Sequence, residues 1–109
     1  MEKNRWIEIV SVRLCDPTNK EAVQAVFDQV NPQLSEREEL DGCAELYLNA
    51  QNESDWSIHL YWKAQVQVPS KTLLGIGIAE VFNSLGLVNH SIWQKGYSVQ
   101  NYDKKSSPH

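Results

Sequence analysis

The stretch Gly42–Lys63, GCAELYLNAQNESDWSIHLYWK, decides the fold because it contains two runs of alternating side chains joined by a polar turn. A period of two puts alternate residues on opposite faces of a strand. The apolar phase consists of Ala44, Leu46, Leu48, Trp56, Ile58, Leu60 and Trp62. The other phase carries aromatic, polar and charged side chains, among them Glu45, Tyr47, Ser57, His59, Tyr61 and Lys63. The linker Ala50–Asp55 is turn-prone, so we predict a β-hairpin.

The segment before the hairpin predicts a strand followed by a helix. Trp6–Cys15 is rich in Ile and Val and is typical of a strand, which Asp16-Pro17 ends. Thr18 and Glu21 have the spacing of a capping box, which predicts Thr18 as the N-cap of a helix. Apolar residues then recur at helical spacing. We expect Asn31-Pro32 to end or interrupt this helix.

The segment after the hairpin predicts a second helix and a last strand. Thr72–Leu85 is largely apolar, so we predict a well-buried helix capped by Ser70 or Thr72, with Gly86 as its C′ residue. Gly75 and Gly77 each cost a helix roughly 1 kcal/mol relative to alanine. They would let the helix lie close to the sheet or leave room for a ligand. Leu87–Tyr97 is predicted to be the last strand.

The order strand, helix, strand, strand, helix, strand predicts an α+β, ferredoxin-like fold, βαββαβ. Its four-stranded antiparallel sheet would carry both helices on one face. Residues 1–100 are expected to form this single domain, and 101–109 a polar, disordered tail. The other sheet face is too aromatic to be left bare. Packing against a second copy of the chain across a two-fold axis would cover it, which predicts a homodimeric α/β barrel.

Composition excludes several classes of partner. The net charge is −4 and the isoelectric point about 5.3, so we expect no nucleic acid partner. No apolar run approaches the roughly 20 residues of a membrane span, and no signal peptide is recognised, so cytoplasmic residence is the default expectation. Cys15 and Cys43 lack metal-ligand spacing and fall far apart in the predicted sheet. We expect two reduced thiols and no metal.

Asp41-Gly42-Cys43, Tyr47, a polar turn and a strand ending at Trp62 resemble the antibiotic-biosynthesis-monooxygenase-like family of dimeric α/β barrels. The resemblance covers about the first 63 residues and the element order of the remainder. It implies a homodimer, with a pocket between the sheet and the second helix. Several family members oxidise aromatic polyketides with oxygen and without metal or flavin, whereas others degrade haem, handle small signalling molecules or have no known reaction.

Two features depart from the family. Haem-degrading relatives have a histidine on the second helix, and Thr72–Leu85 contains none. Haem ligation is therefore not expected, and no cofactor is predicted. The segment Lys63–Ser70 also delays the second helix relative to the family pattern, which affects the shape of the pocket.

Four residues are candidates for chemistry, each with an ordinary structural alternative. His59 could be a general base that removes a proton from a phenolic substrate, or a hydrogen-bonded residue at the dimer interface. Either His59 or Tyr61 could assist the proton transfer. Trp62 could be a pocket wall that stacks on an aromatic ligand, or a core residue. The family pattern adds Tyr47 as a ligand contact.

Three further side chains have alternative roles. His90, beside Asn89 near the start of the last strand, could be catalytic, or it could be a surface or strand-end histidine. Arg13 and Glu45, on one face of the sheet, predict an ion pair, with binding of a substrate carboxylate as the lesser option.

These residues predict an enzyme without cofactor that acts on a small aromatic or quinone-like compound. The alternatives are a non-catalytic module that binds a small molecule or regulates, and a purely structural dimer.

Overall fold

The computed structural model of the chain describes residues 5–34, 44–63 and 69–94. Its elements are β1 (Arg5–Leu14), a 3₁₀ turn (Pro17–Asn19), α1 (Lys20–Leu34), β2 (Glu45–Leu48), β3 (Asp55–Lys63), α2 (Leu73–Asn83) and β4 (Gly86–Gln94). None of these helices is long and apolar enough to cross a membrane.

The four strands form one sheet in the order β2-β3-β1-β4, and every neighbouring pair is antiparallel. In this register Trp6 lies opposite Trp62, and Glu45 lies opposite His59. The ferredoxin-like prediction is confirmed. The hairpin is also confirmed, with strands that differ from the predicted bounds by one or two residues.

One face of the sheet packs against the helices and forms the core. The buried apolar residues are Trp6, Val10, Val12, Leu14, Val23, Val30, Ala44, Ile58, Leu60, Trp62, Ile78 and Phe82. They are alternate residues of β1, members of the predicted apolar phase of the hairpin, Ala44 included, and one stripe of each helix. Leu48 was expected in this core but is 49% exposed, because it lies at the end of the short edge strand β2.

The first helix differs from the prediction at both ends. Asp16, not Thr18, caps the 3₁₀ turn: its Oδ1 accepts hydrogen bonds from the Thr18 backbone N–H at 3.0 Å and from Thr18 Oγ1 at 2.7 Å. Pro17 in the first position suits this arrangement because proline has no N–H to satisfy there. Pro32 lies inside α1 instead of ending it. α1 is described as far as Leu34, two residues beyond Pro32.

The second helix begins after its predicted cap. Thr72 Oγ1 accepts a hydrogen bond from the Gly75 N–H at 3.0 Å. The helix is less buried than predicted, since Leu73 is 87% and Val81 48% exposed. Gly86 is not the C′ residue but the first residue of β4. A Cβ on Gly86 would lie 2.0 Å from the carbonyl oxygen of Arg13, so close approach of two strands explains this glycine.

Several predicted features lie outside the described residues. These are Gly42 and Cys43, most of the segment Lys63–Ser70, the end of the last strand at Tyr97, and the tail 101–109.

Candidate functional site

The face of the sheet away from the helices, the open face, carries a group of side chains from β2 and β3. We call it the tyrosine–histidine cluster: Glu45, Tyr47, Ser57, His59 and Tyr61. Alternation along the two strands puts all five on this face, and the register puts Glu45 opposite His59 and Tyr47 opposite Ser57. Three of the four predicted site residues are therefore neighbours.

A carboxylate holds the two tyrosines of the cluster. Oε1 of Glu45 accepts hydrogen bonds from the hydroxyl of Tyr47 at 2.5 Å and from that of Tyr61 at 2.7 Å. Nε2 of His59 lies 3.1 Å from Oγ of Ser57, and the rings of His59 and Tyr47 have centroids 4.4 Å apart. The imidazole is thus held between a hydroxyl on its own strand and an aromatic ring on β2.

These contacts change the pKa values of the cluster and show which of its groups can act as a base. Partial burial lowers the pKa of His59, although the charge of Glu45 opposes the shift, so the neutral imidazole is favoured. The hydrogen bonds from Tyr47 and Tyr61 lower the pKa of Glu45. Burial and the bond to Glu45 raise the pKa of Tyr61, and the same carboxylate raises that of Tyr47. Among these side chains, the neutral imidazole is the group suited to accept a proton at neutral pH.

A cavity of about 480 Å³ opens on the same face beside the cluster. Tyr47 and Ser57 line one side of it, and Arg13 and Asp55 line another. The predicted pairing of Arg13 with Glu45 is wrong. Arg13 Nε and Nη2 instead donate to the two carboxylate oxygens of Asp55, at 2.6 and 2.8 Å, because Asp55 lies directly opposite Arg13 in the register.

The second polar group lies on the helix-facing side of the sheet, around Glu8. The Glu8 side chain is fully buried. Its Oε1 accepts from Thr72 Oγ1 at 2.7 Å and from Trp62 Nε1 at 3.2 Å. Its Oε2 accepts from the Thr72 N–H at 2.9 Å and lies 2.6 Å from Nε2 of His90. The carboxylate therefore ties the first turn of α2 to β1, β3 and β4.

Trp62 belongs to this second group and not to the tyrosine–histidine cluster. Its ring is 1% exposed and stacks on Trp6 with centroids 5.8 Å apart. A ligand could reach this buried ring only if neighbouring side chains moved. Its role as a pocket wall stays a prediction, while its contacts are those of a core tryptophan.

Glu8 is not among the predicted site residues, although the sequence contains a signal for it. Glu8 shares its phase in β1 with Val10, Val12 and Leu14, and a charged residue in an apolar phase is the exception that needs a partner. The partners, however, come from positions up to 82 residues away and could be identified only from the packed structure. His90, weighed as a strand-end residue, is one of them.

No group of three or more His, Cys, Asp or Glu side chains within 5–34, 44–63 and 69–94 is placed to hold a metal ion. Cys15 is exposed and free. Because Cys43 is outside the described residues, its reduced state stays a prediction.

Comparison with solved structures identifies the fold. The chain is similar to Rv0793 from Mycobacterium tuberculosis, with a TM-score of 0.65 and 10% identity over 86% of this chain and 97% of the other. It is similar to SnoaB, a cofactor-independent oxygenase from Streptomyces nogalater, with a TM-score of 0.60 and 10% identity over 88% and 97%. It is also similar to a candidate antibiotic biosynthesis monooxygenase from Bordetella bronchiseptica, with a TM-score of 0.61 and 13% identity over 86% of this chain and 99% of the other.

Comparison of the sequence alone identifies no relative. No protein-family model matches the chain, and no curated sequence is similar to it. At these identities the structural likeness concerns the backbone and not the site residues. It confirms the resemblance at the level of fold: this chain has the fold of the antibiotic-biosynthesis-monooxygenase-like structures.

Proposed function

We propose that the protein is an enzyme that acts on a small aromatic or quinone-like compound at the tyrosine–histidine cluster, without a metal or flavin. The observation that carries the proposal is the imidazole of His59, which lies against the ring of Tyr47, a residue that lines a cavity on the open sheet face. A base next to an aromatic surface suits a planar substrate with a weakly acidic proton. The likeness to a cofactor-independent oxygenase supports the same class of reaction.

Each residue of the cluster has a role in this proposal. His59 takes the proton of the substrate, and the nearby carboxylate of Glu45 stabilises the imidazolium that forms. The ring of Tyr47 positions the substrate, and Tyr61 holds Glu45 in place through its hydrogen bond. The deprotonated substrate then supplies the electrons to dioxygen. For a CH₂ group beside an aromatic ketone, CH₂ and O₂ give C=O and H₂O, so the substrate is the only reductant.

The alternative is a non-catalytic module that binds a small aromatic molecule. One observation favours it: Glu45 already engages the hydroxyls of Tyr47 and Tyr61, so neither hydroxyl needs a substrate to complete its hydrogen bonding. In this case the same surface binds a ligand, and His59 supplies only a hydrogen bond.

The proposed assembly is a homodimer joined through the open sheet faces. This face exposes large apolar side chains, with Trp93 59%, Tyr47 46% and Leu87 72% exposed. Several large exposed apolar side chains on one face favour an interaction site, and packing on an identical face would cover them on both copies. The cavity beside the cluster would then lie between the two chains. Cytoplasmic residence stays a prediction.

Oxygen uptake with anthrone tests the enzyme proposal. Anthrone is a planar aromatic ketone with an acidic CH₂ group. The exchange His59→Gln is expected to lower kcat at least about 100-fold, the usual contribution of a general base. Tyr61→Phe keeps the aromatic ring and is expected to lower kcat less than His59→Gln does, because Tyr47 still binds Glu45. The exchange Gln24→Ala, on an exposed face of α1, serves as the matched control. If both His59→Gln and Tyr61→Phe left turnover intact, the assignment would be wrong.

The pH profile of the same reaction gives an independent check. His59 must be unprotonated to act as a base, and its pKa is lowered from the ordinary 6.5 by burial. Activity is therefore expected to be largely retained at pH 7 and to fall as the pH drops through the lowered pKa of His59. Oxygen uptake measured between pH 4.5 and 8 shows this acidic limb. A rate that is lost already between pH 8 and 7 contradicts His59 as the base.

A further inference from the structure

The cavity on the open face has a floor of small side chains between two larger ends. Ser11 and Ser57 lie opposite each other in the register, and both line the cavity. Two residues beyond Ser57 in one direction along β3 is His59, and two residues in the other direction is Asp55. Residues at this spacing share one face of a strand. The floor therefore lies between an imidazole at one end and the pair of Arg13 and Asp55 at the other.

The two ends are far enough apart to hold a ring system between them. At about 3.3 Å per residue, the four residues from Asp55 to His59 span roughly 13 Å of strand. His59 contacts two residues that line the cavity, Ser57 through Nε2 at 3.1 Å and Tyr47 through its ring. A single small group cannot contact both ends, whereas a planar molecule of fused rings can.

The guanidinium of Arg13 has hydrogen-bond donors that Asp55 does not use. An arginine side chain has five N–H groups in a planar fork. Asp55 accepts from two of them, one on Nε at 2.6 Å and one on Nη2 at 2.8 Å. The other three have no acceptor in the described parts of the chain, and the Arg13 side chain is 61% exposed where it lines the cavity. Asp55 thus orients the guanidinium and leaves its other edge open to a ligand.

The charge at this end of the cavity favours a neutral acceptor. The carboxylate of Asp55 already balances the charge of Arg13, so a carboxylate on a ligand would lie near a like charge. A carbonyl oxygen accepts hydrogen bonds without bringing a charge. If the same molecule loses a proton to His59, negative charge develops on that oxygen, where N–H donors are already in place.

We propose that Arg13, oriented by Asp55, binds the carbonyl oxygen of an aromatic ketone and stabilises the oxyanion that forms there when His59 removes a proton. This inference rests on the proposed function and names its substrate class: planar ketones whose carbonyl and acidic CH₂ group lie on opposite edges of a ring, as in anthrone. In this step a C–H bond of the CH₂ group breaks, and its proton goes to the imidazole. The electron pair is delocalised through the ring onto the carbonyl oxygen, so the step itself needs no oxidant.

The kinetics of oxygen uptake with anthrone test the role of Arg13 in the reaction. Arg13→Gln is expected to lower kcat at least about 100-fold, the usual effect of losing an oxyanion donor, and to change KM much less. Arg13→Lys keeps the charge but not the planar fork, so its kcat is expected to lie between those of the wild-type protein and Arg13→Gln. Lys20→Gln, which removes a positive charge at the exposed start of α1, is the matched control.

An unchanged kcat in Arg13→Gln would overturn this inference and leave the proposed function of His59 in place. Circular dichroism shows whether the variants fold. If Arg13→Gln does not fold, a kcat of Arg13→Lys equal to that of the wild-type protein overturns the inference instead.

The carbonyl stretch of bound fluorenone provides a readout that needs no reaction. Fluorenone is a planar ketone without an acidic C–H group. Its infrared carbonyl band is expected at lower frequency when it is bound to the wild-type protein or to Lys20→Gln, and not when it is bound to Arg13→Gln. A lowered band that does not depend on Arg13 overturns the inference, and so does an absence of binding. A shift that depends on Arg13, in a protein that does not oxidise anthrone, supports the carbonyl site and contradicts the proposed oxygen chemistry.

Asp55 tests the preference for a neutral acceptor. The wild-type protein is expected to bind fluorenone about tenfold or more tightly than fluorenone that carries a carboxylate. Asp55→Asn removes the balancing charge at nearly constant size and is expected to narrow this difference. Tighter binding of the carboxylate by the wild-type protein would overturn the assignment of a carbonyl to this end of the cavity.

Discussion

Gly75→Ala is expected to lower the free energy of unfolding by about 2–4 kcal/mol, because the added methyl group has no space. A Cβ at this position would lie 1.9 Å from Oε2 of Glu8 and 2.9 Å from Nε2 of His90. The Glu8 side chain cannot simply turn away, since it is fully buried and holds Thr72 and Trp62 through hydrogen bonds. Either those bonds break or α2 moves off the sheet.

Gly77→Ala is the matched control, and we expect it to change the free energy of unfolding in the opposite direction. It lies in the same helix, and a Cβ there would have no atom within 4 Å. Alanine is expected to stabilise the protein by up to about 1 kcal/mol through helix propensity alone. Urea denaturation followed by tryptophan fluorescence measures both variants. Equal effects of the two exchanges would contradict the close packing of α2 on Glu8.

Glu8→Ala is expected to be the most destabilising single exchange, at about 3–5 kcal/mol, because it leaves several buried donors without an acceptor. The Thr72 N–H, Thr72 Oγ1 and Trp62 Nε1 all donate to this carboxylate, and His90 lies against it. Glu8→Gln keeps one acceptor oxygen and is expected to cost less than alanine.

Two measurements check the Glu8 prediction. Urea denaturation gives the loss of stability, and hydrogen exchange of the first turn of α2 shows whether the loss begins there. Glu21→Ala, at an exposed glutamate in the first turn of α1, is the control and is expected to change stability by less than about 1 kcal/mol. A Glu8→Ala protein as stable as this control would show that the carboxylate does not anchor α2.

The fold could be predicted because the residue patterns that determine its elements are local and repeat along the chain. Strict alternation in the hairpin and helical spacing in α1 each recur over several residues, and the order of the elements then restricts the topology. The errors concern single hydrogen bonds. Asp16 and Thr18 are both good capping residues, and Gly86 suits both a helix end and a crowded strand. Sequence cannot choose between such options, since the neighbouring backbone decides.

The site was predictable only in part, for a related reason. Alternation put His59, Tyr61 and Tyr47 on one face, and their contacts follow from the register of one short hairpin. The partners of Arg13 and Glu8 depend on which strands are neighbours and on where α2 begins. Arg13 pairs with Asp55 because β1 and β3 are adjacent strands. Glu8 binds Thr72 because the N-terminus of α2 packs on the sheet at the position of Glu8. These relations join residues far apart in the chain.

The most direct test of a functional tyrosine–histidine cluster is a histidine-selective NMR titration with 1-naphthol, a planar phenol, as the probe. The sequence has three histidines, and His59→Gln and His90→Gln assign two of their signals. If the cluster binds aromatic compounds, the ring signals of His59 shift saturably with added probe, while those of His90, buried against Glu8, stay in place. Unchanged His59 signals at millimolar probe would contradict the account, and so would a shift confined to His90.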